Sequence, residues 1–226
     1  MASHTLNIRF GRLAGLPSEL PYFWDLLDSD ERNRAQGIKK SLKQAQYIET
    51  HGRLRIMLGD AVDAAPERLQ FGKNEHGKPY LADYPDVAFN LSHTSDRIAV
   101  VLSRRCRVGI DIESCKPRTN LAALAAKCFG AEEKSYWLAL PETEQLPSFY
   151  RFWTRKEAFV KAVGQGINLG LQNCVIDPSH PERMLGVPPS CGLADEWSLY
   201  DLEPSDGFCG AVAVDGTIDA VSIGTF

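Results

Sequence analysis

The sequence predicts an α+β fold of two similar-sized lobes, and three observations support this prediction: chain length, composition and the distribution of secondary-structure patterns. The chain has 226 residues, of which 44% are hydrophobic and 24% are charged, as in an ordinary globular protein. A chain of this length forms one large domain or two small lobes, each with its own core. Strand and helix patterns occur in both halves, with a seam near residues 103–107. We therefore expect lobes over residues 1–105 and 106–226.

The first half of the chain begins with a strand pattern and continues with a long helical pattern. Alternation of apolar and polar side chains predicts strands, whereas apolar residues three and four positions apart predict a helix. Gly37 and Gly52 weaken the helical pattern. The expected elements are a strand at 5–13, a helix at 29–58, a turn at 74–80 and strands at 87–91 and 97–102.

The second half repeats this combination, with its helices in the middle and most of its strands at the end. In its first strand, Val108, Ile110 and Ile112 alternate with polar residues or glycine, as expected of a strand with one buried face. The expected elements are a strand at 107–113, helices at 120–129, 132–140 and 146–163, and strands at 174–177, 197–202, 210–214 and 220–223.

Composition and charge argue against several functional classes. The net charge is −4, which disfavours general binding of nucleic acid. No apolar run is long enough to span a bilayer, and the opening Met-Ala-Ser-His-Thr lacks the layout of a secretion signal. We expect a cytoplasmic protein, and a monomer because each lobe can pair with the other.

The cysteines do not form a recognisable metal or disulfide motif. There are six, scattered along the chain, and none belongs to a C-x-x-C pair. The five histidines do not cluster with them. We therefore expect reduced thiols in core and loop positions, without a zinc site or a disulfide framework.

One segment is strongly basic within this acidic chain. Residues 32–55 contain seven basic residues and one acidic residue, Glu49, which gives a local charge of +6. The basic residues are Arg32, Arg34, Lys39, Lys40, Lys43, Arg53 and Arg55. The segment is either a solvated helix face or a binding site for a ligand that carries several phosphates.

The strand Val108-Gly-Ile-Asp-Ile-Glu113 has two carboxylates two positions apart. Alternate residues of a strand share a face, so Asp111 and Glu113 project together while the apolar residues are buried on the other side. Neighbouring carboxylates repel unless a cation lies between them, and oxygen ligands of this kind suit Mg²⁺. The pair is either a metal site or two solvated acids on an edge strand.

The segment Trp153-Thr-Arg-Lys-Glu-Ala-Phe-Val-Lys161 has a glutamate and a lysine one helical turn apart. Glu157 and Lys161 therefore share a helix face. Such a pair is commonly only a surface salt bridge. If the helix faces the Asp111 strand, however, Glu157 supplies a third carboxylate and Lys161 a cation for a transferring phosphate.

Two polar segments complete the set of candidate residues. Ser92 and His93 end the segment Phe89-Asn-Leu-Ser-His93 and could bind phosphate oxygens or stabilise their loop. They do not suggest a serine hydrolase, because no G-x-S-x-G motif is present. In Gly77-Lys-Pro79, Lys78 supplies a cation on a stiff turn. The run from Gly164 to Gly170 follows a helix instead of opening one, which argues against a dinucleotide-binding motif.

Four of these segments, in this order, resemble the motifs of the Sfp-type 4'-phosphopantetheinyl transferases. They are Gly77-Lys-Pro79, Phe89-Asn-Leu-Ser-His93, Val108-Gly-Ile-Asp-Ile-Glu113 and Trp153-Thr-Arg-Lys-Glu-Ala-Phe-Val-Lys161. The last has the W-x-x-K-E-A-x-x-K form of the family. The likeness covers about residues 30–170 and is strongest from Asp111 to Lys161. Each short motif recurs by chance, whereas the ordered set is specific.

The resemblance implies two α/β lobes related by a pseudo-twofold axis, with coenzyme A in the cleft between them. It implies that Asp111, Glu113 and Glu157 hold Mg²⁺. Lys161 would contact the transferred phosphate. Glu157 would also take the proton of an attacking serine, directly or through water. The implied reaction moves 4'-phosphopantetheine from coenzyme A to a serine of an apo acyl- or peptidyl-carrier protein and releases 3',5'-ADP.

The resemblance also implies which residues bind the nucleotide end of coenzyme A. These are Lys78, Ser92 and His93, an arginine of the first long helix, and lysines upstream of that arginine. Arg55 fits the arginine best, with Arg53 as a near competitor. The lysines would be Lys39, Lys40 or Lys43, with Lys39 and Lys43 taken as the candidates, and the sequence does not choose among them.

Two other functions stay open at this stage. One is a different Mg²⁺-dependent phosphoryl or nucleotidyl transferase that uses the same three carboxylates. The other is a non-catalytic module that binds coenzyme A or a carrier protein. The set Asp111, Glu113, Glu157 and Lys161 argues against a mere binder, which needs no such arrangement.

The helical segments from Asn120 to Leu140 are the expected docking surface for a carrier protein. They follow the carboxylate strand directly and contain apolar and basic residues. The residues are Leu121, Leu124, Phe129, Tyr136 and Trp137, with Lys127 and Lys134. We expect at least half of the apolar members to lie in the core and a few to be exposed.

Overall fold

A computed structural model describes residues 5–203, 207–216 and 218–226. Its helices are α1 (Leu20–Leu26), α2 (Ser29–Gly37), α3 (Ser41–Val62), α4 (Leu121–Cys128), α5 (Ala131–Ala139) and α6 (Glu142–Val163). Its strands are β1 (Thr5–Arg12), β2 (Phe71–Lys73), β3 (Pro79–Leu81), β4 (Val87–Thr94), β5 (Arg97–Arg104), β6 (Val108–Ser114), β7 (Val175–Ile176), β8 (Met184–Gly186), β9 (Trp197–Leu202), β10 (Phe208–Asp215) and β11 (Ala220–Thr225). These mixed elements confirm the α+β prediction.

Two larger sheets organise the chain. The first has strand order β11-β1-β5-β4 and the second β6-β10-β9. Strand β11 pairs in parallel with β1, so the last strand returns to the sheet that the first half of the chain builds. The lobe boundaries expected from sequence, 1–105 and 106–226, therefore do not coincide with the sheets, because residues 220–225 belong to the first sheet.

The two sheets face each other and each carries a long helix on its outer side. In β5 the side chains alternate: Ala99 and Val101 pack against the second sheet, whereas Val100 packs with residues of α3. Alternation of this kind is required when both faces of a strand are buried. The result is a layered arrangement of α3, first sheet, second sheet and α6.

Helix α6 approaches the second sheet closely because β6 has a glycine at the contact. A Cβ atom at Gly109 would lie 2.1 Å from the carbonyl oxygen of Ala158 and 2.4 Å from the amide nitrogen of Ala162. Any larger residue would push the helix away from the strand. Gly109 thus sets the separation between β6 and α6, the two elements that carry the predicted carboxylates.

The long helix predicted at 29–58 is two helices. Helix α2 ends at Gly37, and α3 begins at Ser41 after Lys40, whose ψ of 114° is extended. The side chain of Asp28 accepts a hydrogen bond from the backbone of Glu31, and Glu31 accepts one from the backbone of Asp28, which forms a capping box at the start of α2. The capping box therefore begins α2, and the helix ends at Gly37, where periodicity alone suggested continuity.

The other predicted elements agree with the structure to within a few residues, with some omissions. Sequence patterns missed the short helix α1 and strands β2, β3 and β8. Strands β2 and β3 flank the predicted turn and pair with each other, so that turn joins a short hairpin. No helix in the described part of the chain is long and apolar enough to cross a membrane.

Candidate active site

The predicted site residues meet where β4, an edge strand of the first sheet, lies beside β6, an edge strand of the second. Side chains of β4 bridge the gap: Asn90 Oδ1 accepts a hydrogen bond from the amide of Ile110 at 2.9 Å, and Ser92 Oγ accepts one from the amide of Ile112 at 3.2 Å. These bonds satisfy amides that would otherwise lack partners at the edge of the second sheet. They also fix β4 beside the carboxylate strand.

Asp111 and Lys161 form the centre of the site. Lys161 Nζ donates hydrogen bonds to Asp111 Oδ1 at 2.7 Å, to Ser92 Oγ at 3.0 Å and to the carbonyl oxygen of Ile110 at 3.2 Å. Asp111 is buried, whereas the Lys161 side chain is 29% exposed. The lysine is therefore anchored by the strand but can still be reached by a ligand.

Ser92 belongs to this network. Its hydroxyl donates to Asp111 Oδ1 at 3.0 Å and accepts from both Lys161 and the Ile112 amide. Its hydroxyl proton is bonded to the Asp111 carboxylate, which is itself paired with Lys161. Ser92 is therefore not placed as a nucleophile. Its observed contacts position Asp111 and Lys161, and the nucleotide contact that the resemblance implied stays a prediction.

The three carboxylates influence one another electrostatically. Burial raises the pKa of Asp111, although the Lys161 ammonium acts in the opposite direction. Burial and the negative charge of Asp111 raise the pKa values of Glu113 and Glu157. Thr94 also donates a weak hydrogen bond to Glu113, at 3.5 Å. Three acids that mutually disfavour ionisation form a site that a cation would stabilise.

The side chains do not form a ready-made metal site as they stand. Among the described residues, no group of three or more His, Cys, Asp or Glu is arranged to hold a metal ion. One observation nevertheless fits a missing cation: Asp111 Oδ2 is buried and has no hydrogen-bond partner in the described part of the chain. A buried, unpaired carboxylate oxygen is costly unless something else satisfies it, and an all-carboxylate donor set suits Mg²⁺.

Cationic groups from three elements converge beside this network. Burial, followed by the positive charges of Lys43, Lys161 and His51, lowers the pKa of His93. These residues come from α3, β4 and α6. Mutual repulsion of this kind is relieved when an anion binds. The positive charge of Lys43 thus acts on His93, and Lys39 is exposed on the same segment as Lys43. The phosphate contacts of His93, Lys43 and Lys39 stay predictions.

His51 was missed by sequence reasoning. It lies on α3, its ring stacks against Tyr47 with centroids 4.2 Å apart, and its Nδ1 is 3.0 Å from Glu31 Oε1. A carboxylate partner fixes the orientation of a histidine ring. The sequence signal for His51 is weak, because it is a histidine within the basic segment and has no spacing to other residues that marks it as a ligand.

Arg55 does not lie where the resemblance suggested. Its side chain has no exposed surface, and it bonds to Glu31 at 2.6 Å, to Asp28 at 2.5 Å, and to the carbonyl oxygens of Pro66 and Leu69. A guanidinium that is fully buried and bonded on several sides does not present itself to a phosphate. Its position supports an indirect role. Arg55 orients Glu31 through an ion pair, and Glu31 in turn contacts the ring of His51.

Arg53, the competing candidate, is also engaged elsewhere. It donates two hydrogen bonds to Glu49 Oε1, at 3.0 and 2.7 Å, and lies over the rings of Phe23 and Phe226. The buried Glu49 also accepts the amide of Gly15 at 2.7 Å. Arg53 therefore supports the packing of α3 in the first lobe.

Lys78 bridges the two halves of the chain. Its ammonium donates to the carbonyl oxygens of Val108 at 3.1 Å and Ala162 at 2.7 Å, at the start of β6 and the end of α6. Burial and the nearby charge of Arg107 lower the pKa of Lys78 to about 8. The observed contacts tie the hairpin of β2 and β3 to the carboxylate elements, and the predicted phosphate contact stays a prediction.

Lys156, adjacent to Glu157 in the same motif, turns away from the site. Its ammonium lies 2.6 Å from Glu133 Oε2, and neither side chain is exposed. Lys156 also donates to the carbonyl oxygens of Leu171 and Cys174. Burial lowers the pKa of Lys156, while Glu133 acts in the opposite direction. The ion pair connects α6 to α5, and the bonds to the two carbonyl oxygens connect α6 to the loop that follows it.

Most of the apolar residues named for the expected docking segment pack into or against the core. Phe129 is 4% exposed and Trp137 is 3% exposed, so neither is available to a partner. Tyr136 and Leu138 on α5 are exposed, which leaves a smaller apolar surface than the sequence suggested. The prediction that this segment binds a carrier protein stays a prediction, with Tyr136 in place of Phe129 as its accessible aromatic residue.

Comparison with known proteins identifies related chains. The family model described as the 4'-phosphopantetheinyl transferase superfamily matches residues 107–212. The chain is 32% identical over 194 residues to 4'-phosphopantetheinyl transferase HetI of Nostoc sp., covering 84% of this chain and 79% of that protein. It is 31% identical over 155 residues to a 4'-phosphopantetheinyl transferase of Bacillus subtilis, covering 65% and 68%. It is 28% identical over 202 residues to 4'-phosphopantetheinyl transferase gsp of Aneurinibacillus migulanus, covering 84% and 81%.

Proposed function

This chain belongs to the 4'-phosphopantetheinyl transferase superfamily, and on that basis we propose that it transfers the phosphopantetheine arm of coenzyme A to a serine of an apo carrier protein. The observation that carries the proposal is the bonded cluster of Lys161, Asp111 and Ser92, with Glu113 and Glu157 beside it. A cation held against carboxylates and left partly accessible suits the transfer of a phosphate group. The leaving product is 3',5'-ADP.

In this proposal, Asp111, Glu113 and Glu157 are the residues that hold Mg²⁺. When bound, the ion supplies positive charge that stabilises the pyrophosphate oxygens as the bond to the leaving group breaks. The orphaned Oδ2 of Asp111 and the raised pKa values of all three acids support this assignment. The identity of the metal is part of the proposal.

The protein's own groups perform the remaining steps. The hydroxyl of the carrier serine attacks the β-phosphorus of coenzyme A, and the bond from that phosphorus to the bridging oxygen breaks. Glu157 takes the serine proton, directly or through a water molecule, and its raised pKa suits a proton acceptor. The ammonium of Lys161 stabilises the charge on the transferred phosphate.

The cationic groups beside the cluster bind the remaining phosphate of coenzyme A. We assign His93, Lys43 and His51 to this role because His93 experiences the positive charge of the other two. Lys39 lies on the same segment and adds to the local positive charge. The 3'-phosphate is the group that distinguishes coenzyme A from its dephospho form. We therefore expect these residues to contribute more to the binding of coenzyme A than to the binding of the dephospho form.

A transfer assay tests the proposal directly. The purified chain is incubated with coenzyme A, Mg²⁺ and a panel of apo carrier proteins. The intact masses of the carrier proteins are then measured by mass spectrometry. The expected result is a mass gain of one phosphopantetheine group on a serine, with release of 3',5'-ADP and loss of the reaction when Mg²⁺ is chelated. Coenzyme A binding without any carrier modification would favour a binding module, and transfer of a nucleotide would favour a different transferase.

Replacing His93 by alanine is expected to weaken the binding of coenzyme A more than the binding of dephospho-coenzyme A. A charge-assisted hydrogen bond contributes roughly 1.5–3 kcal/mol, so the affinity for coenzyme A should fall about tenfold to a hundredfold while that for the dephospho form changes little. Isothermal titration calorimetry with both ligands measures this. The control is His180→Ala, because His180 is exposed in the loop between β7 and β8 and belongs to none of the predicted site motifs. Equal losses for the two ligands would place His93 away from the 3'-phosphate.

The affinity for coenzyme A is expected to increase as pH falls through neutrality. Burial and neighbouring cations lower the pKa of His93, so the imidazole is mostly neutral in the free protein at neutral pH. A bound phosphate raises that pKa again, and binding therefore takes up a proton. Calorimetry in buffers of different ionisation enthalpy measures the uptake. The His93→Ala variant should take up less, and an unchanged value would contradict the assignment.

A further inference from the structure

Two cysteines that are far apart in the chain are in contact next to the carboxylate strand. The sulfur atoms of Cys115 and Cys209 are 2.6 Å apart, although 94 residues separate them. Both residues are half-buried and both are free thiols. Sequence motifs did not indicate this pair, since neither cysteine belongs to a C-x-x-C motif.

The strand pairing explains why these thiols meet. Cys209 lies opposite Glu113 in the antiparallel pairing of β10 with β6. Cys115 follows the end of β6, and its amide donates to the carbonyl oxygen of Gly207 at 2.9 Å. Positions 113 and 115 share a face of the strand. The two thiols therefore lie on the same side as Glu113, one step further along the sheet.

We propose that Cys115 and Cys209 are an oxidation site and that a peroxide-class oxidant converts them to a disulfide that staples β6 to β10. One thiol loses its proton, the thiolate attacks a peroxide oxygen, and the O–O bond breaks. The departing hydroxide takes up that proton, so that a sulfenic acid and water form. The second sulfur attacks the first, the S–O bond breaks, and its proton leaves with the hydroxide as a second water. Two electrons pass from the two sulfurs to one peroxide.

The structural consequence is a cross-link that closes a long loop without rearranging the site. Because the sulfurs are already in contact, bond formation requires only a small movement. A cross-link between residues 94 apart restricts the unfolded chain strongly and so raises the unfolding temperature. The end of β6 that carries Glu113 is then joined to β10 by a covalent bond as well as by the backbone hydrogen bonds of the sheet.

Oxidation is expected to be slow at neutral pH. Both thiols are half-buried, which limits the access of the oxidant, and only the thiolate reacts readily. The reaction should therefore be followed to its end point. An oxidised protein prepared in this way is then compared with the same protein after treatment with dithiothreitol.

The test uses the full chain treated with hydrogen peroxide. Intact mass should fall by two hydrogens, the free thiols should fall from six to four, and a peptide that joins Cys115 to Cys209 should appear on non-reducing digestion. The unfolding temperature should rise by about 5 °C or more and return to its starting value on reduction.

Three variants decide whether this pair is responsible. Cys115→Ser and Cys209→Ser should each lose both the cross-link and the stabilisation, whereas Cys128→Ala, which removes a buried thiol on another element, should keep both. Six free thiols after oxidation, a cross-link between other cysteines, or a cross-link that leaves the unfolding temperature unchanged would each overturn the proposal. None of these measurements depends on transferase activity, so they test this proposal independently of the proposed function.

Discussion

Asparagine in place of Asp111, or glutamine in place of Glu157, is expected to reduce phosphopantetheine transfer about a hundredfold or more. Each change keeps the size of the side chain and removes one carboxylate from the proposed Mg²⁺ site. Loss of a single group that stabilises transition-state charge costs on the order of 10²–10³ in rate. The Asp111 change also takes the charge partner from Lys161, which now lies 2.7 Å away. Steady-state transfer to an apo carrier protein measures both variants.

Controls distinguish loss of the site from loss of the fold. Glu144→Gln makes the same chemical change at an exposed position in the first turn of α6, and it should leave transfer unchanged. Glu113→Gln should be milder than the other two if water can replace one ligand. Near-normal turnover in folded Asp111→Asn or Glu157→Gln, with an unchanged requirement for Mg²⁺, would remove these residues from the metal site.

The largest effect on stability is expected from Lys156→Met. Lys156 and Glu133 are both fully buried and form an ion pair at 2.6 Å. Removing one member leaves a buried carboxylate without its counter-charge, which costs about 3–5 kcal/mol. The free energy of unfolding in urea should fall by that amount. The remaining hydrogen bonds to Glu133, from the amides of Gly130 and Ile176, do not replace the lost charge.

A second substitution shows whether the charge itself is the cause. Adding Glu133→Gln to Lys156→Met leaves no uncompensated charge, and the double variant should recover part of the lost stability. Arg151→Met removes an exposed cation of the same helix and should change stability by less than about 0.5 kcal/mol. A small effect of Lys156→Met in urea unfolding would show that the pair contributes little to the fold.

Local sequence patterns determined much of the fold and the centre of the site. Strand alternation placed Asp111 and Glu113 on one face and Val108, Ile110 and Ile112 on the other, and these three apolar residues are indeed buried. Helical spacing placed Glu157 and Lys161 one turn apart. Both patterns depend only on backbone geometry, which short segments already encode. The fold class, the main helices and the family followed from such patterns.

Tertiary structure alone decided what lies opposite each side chain. Arg55 and His51 occupy the same basic helix, yet packing buries Arg55 against Asp28 and Glu31 and leaves His51 near Lys43 and His93. Cys115 and Cys209 meet because β6 and β10 pair, and β11 joins the first sheet across the whole length of the chain. Spacing along a chain defines which residues share a face. The partners of that face come from segments far away in sequence, and only the packed fold brings them within bonding distance.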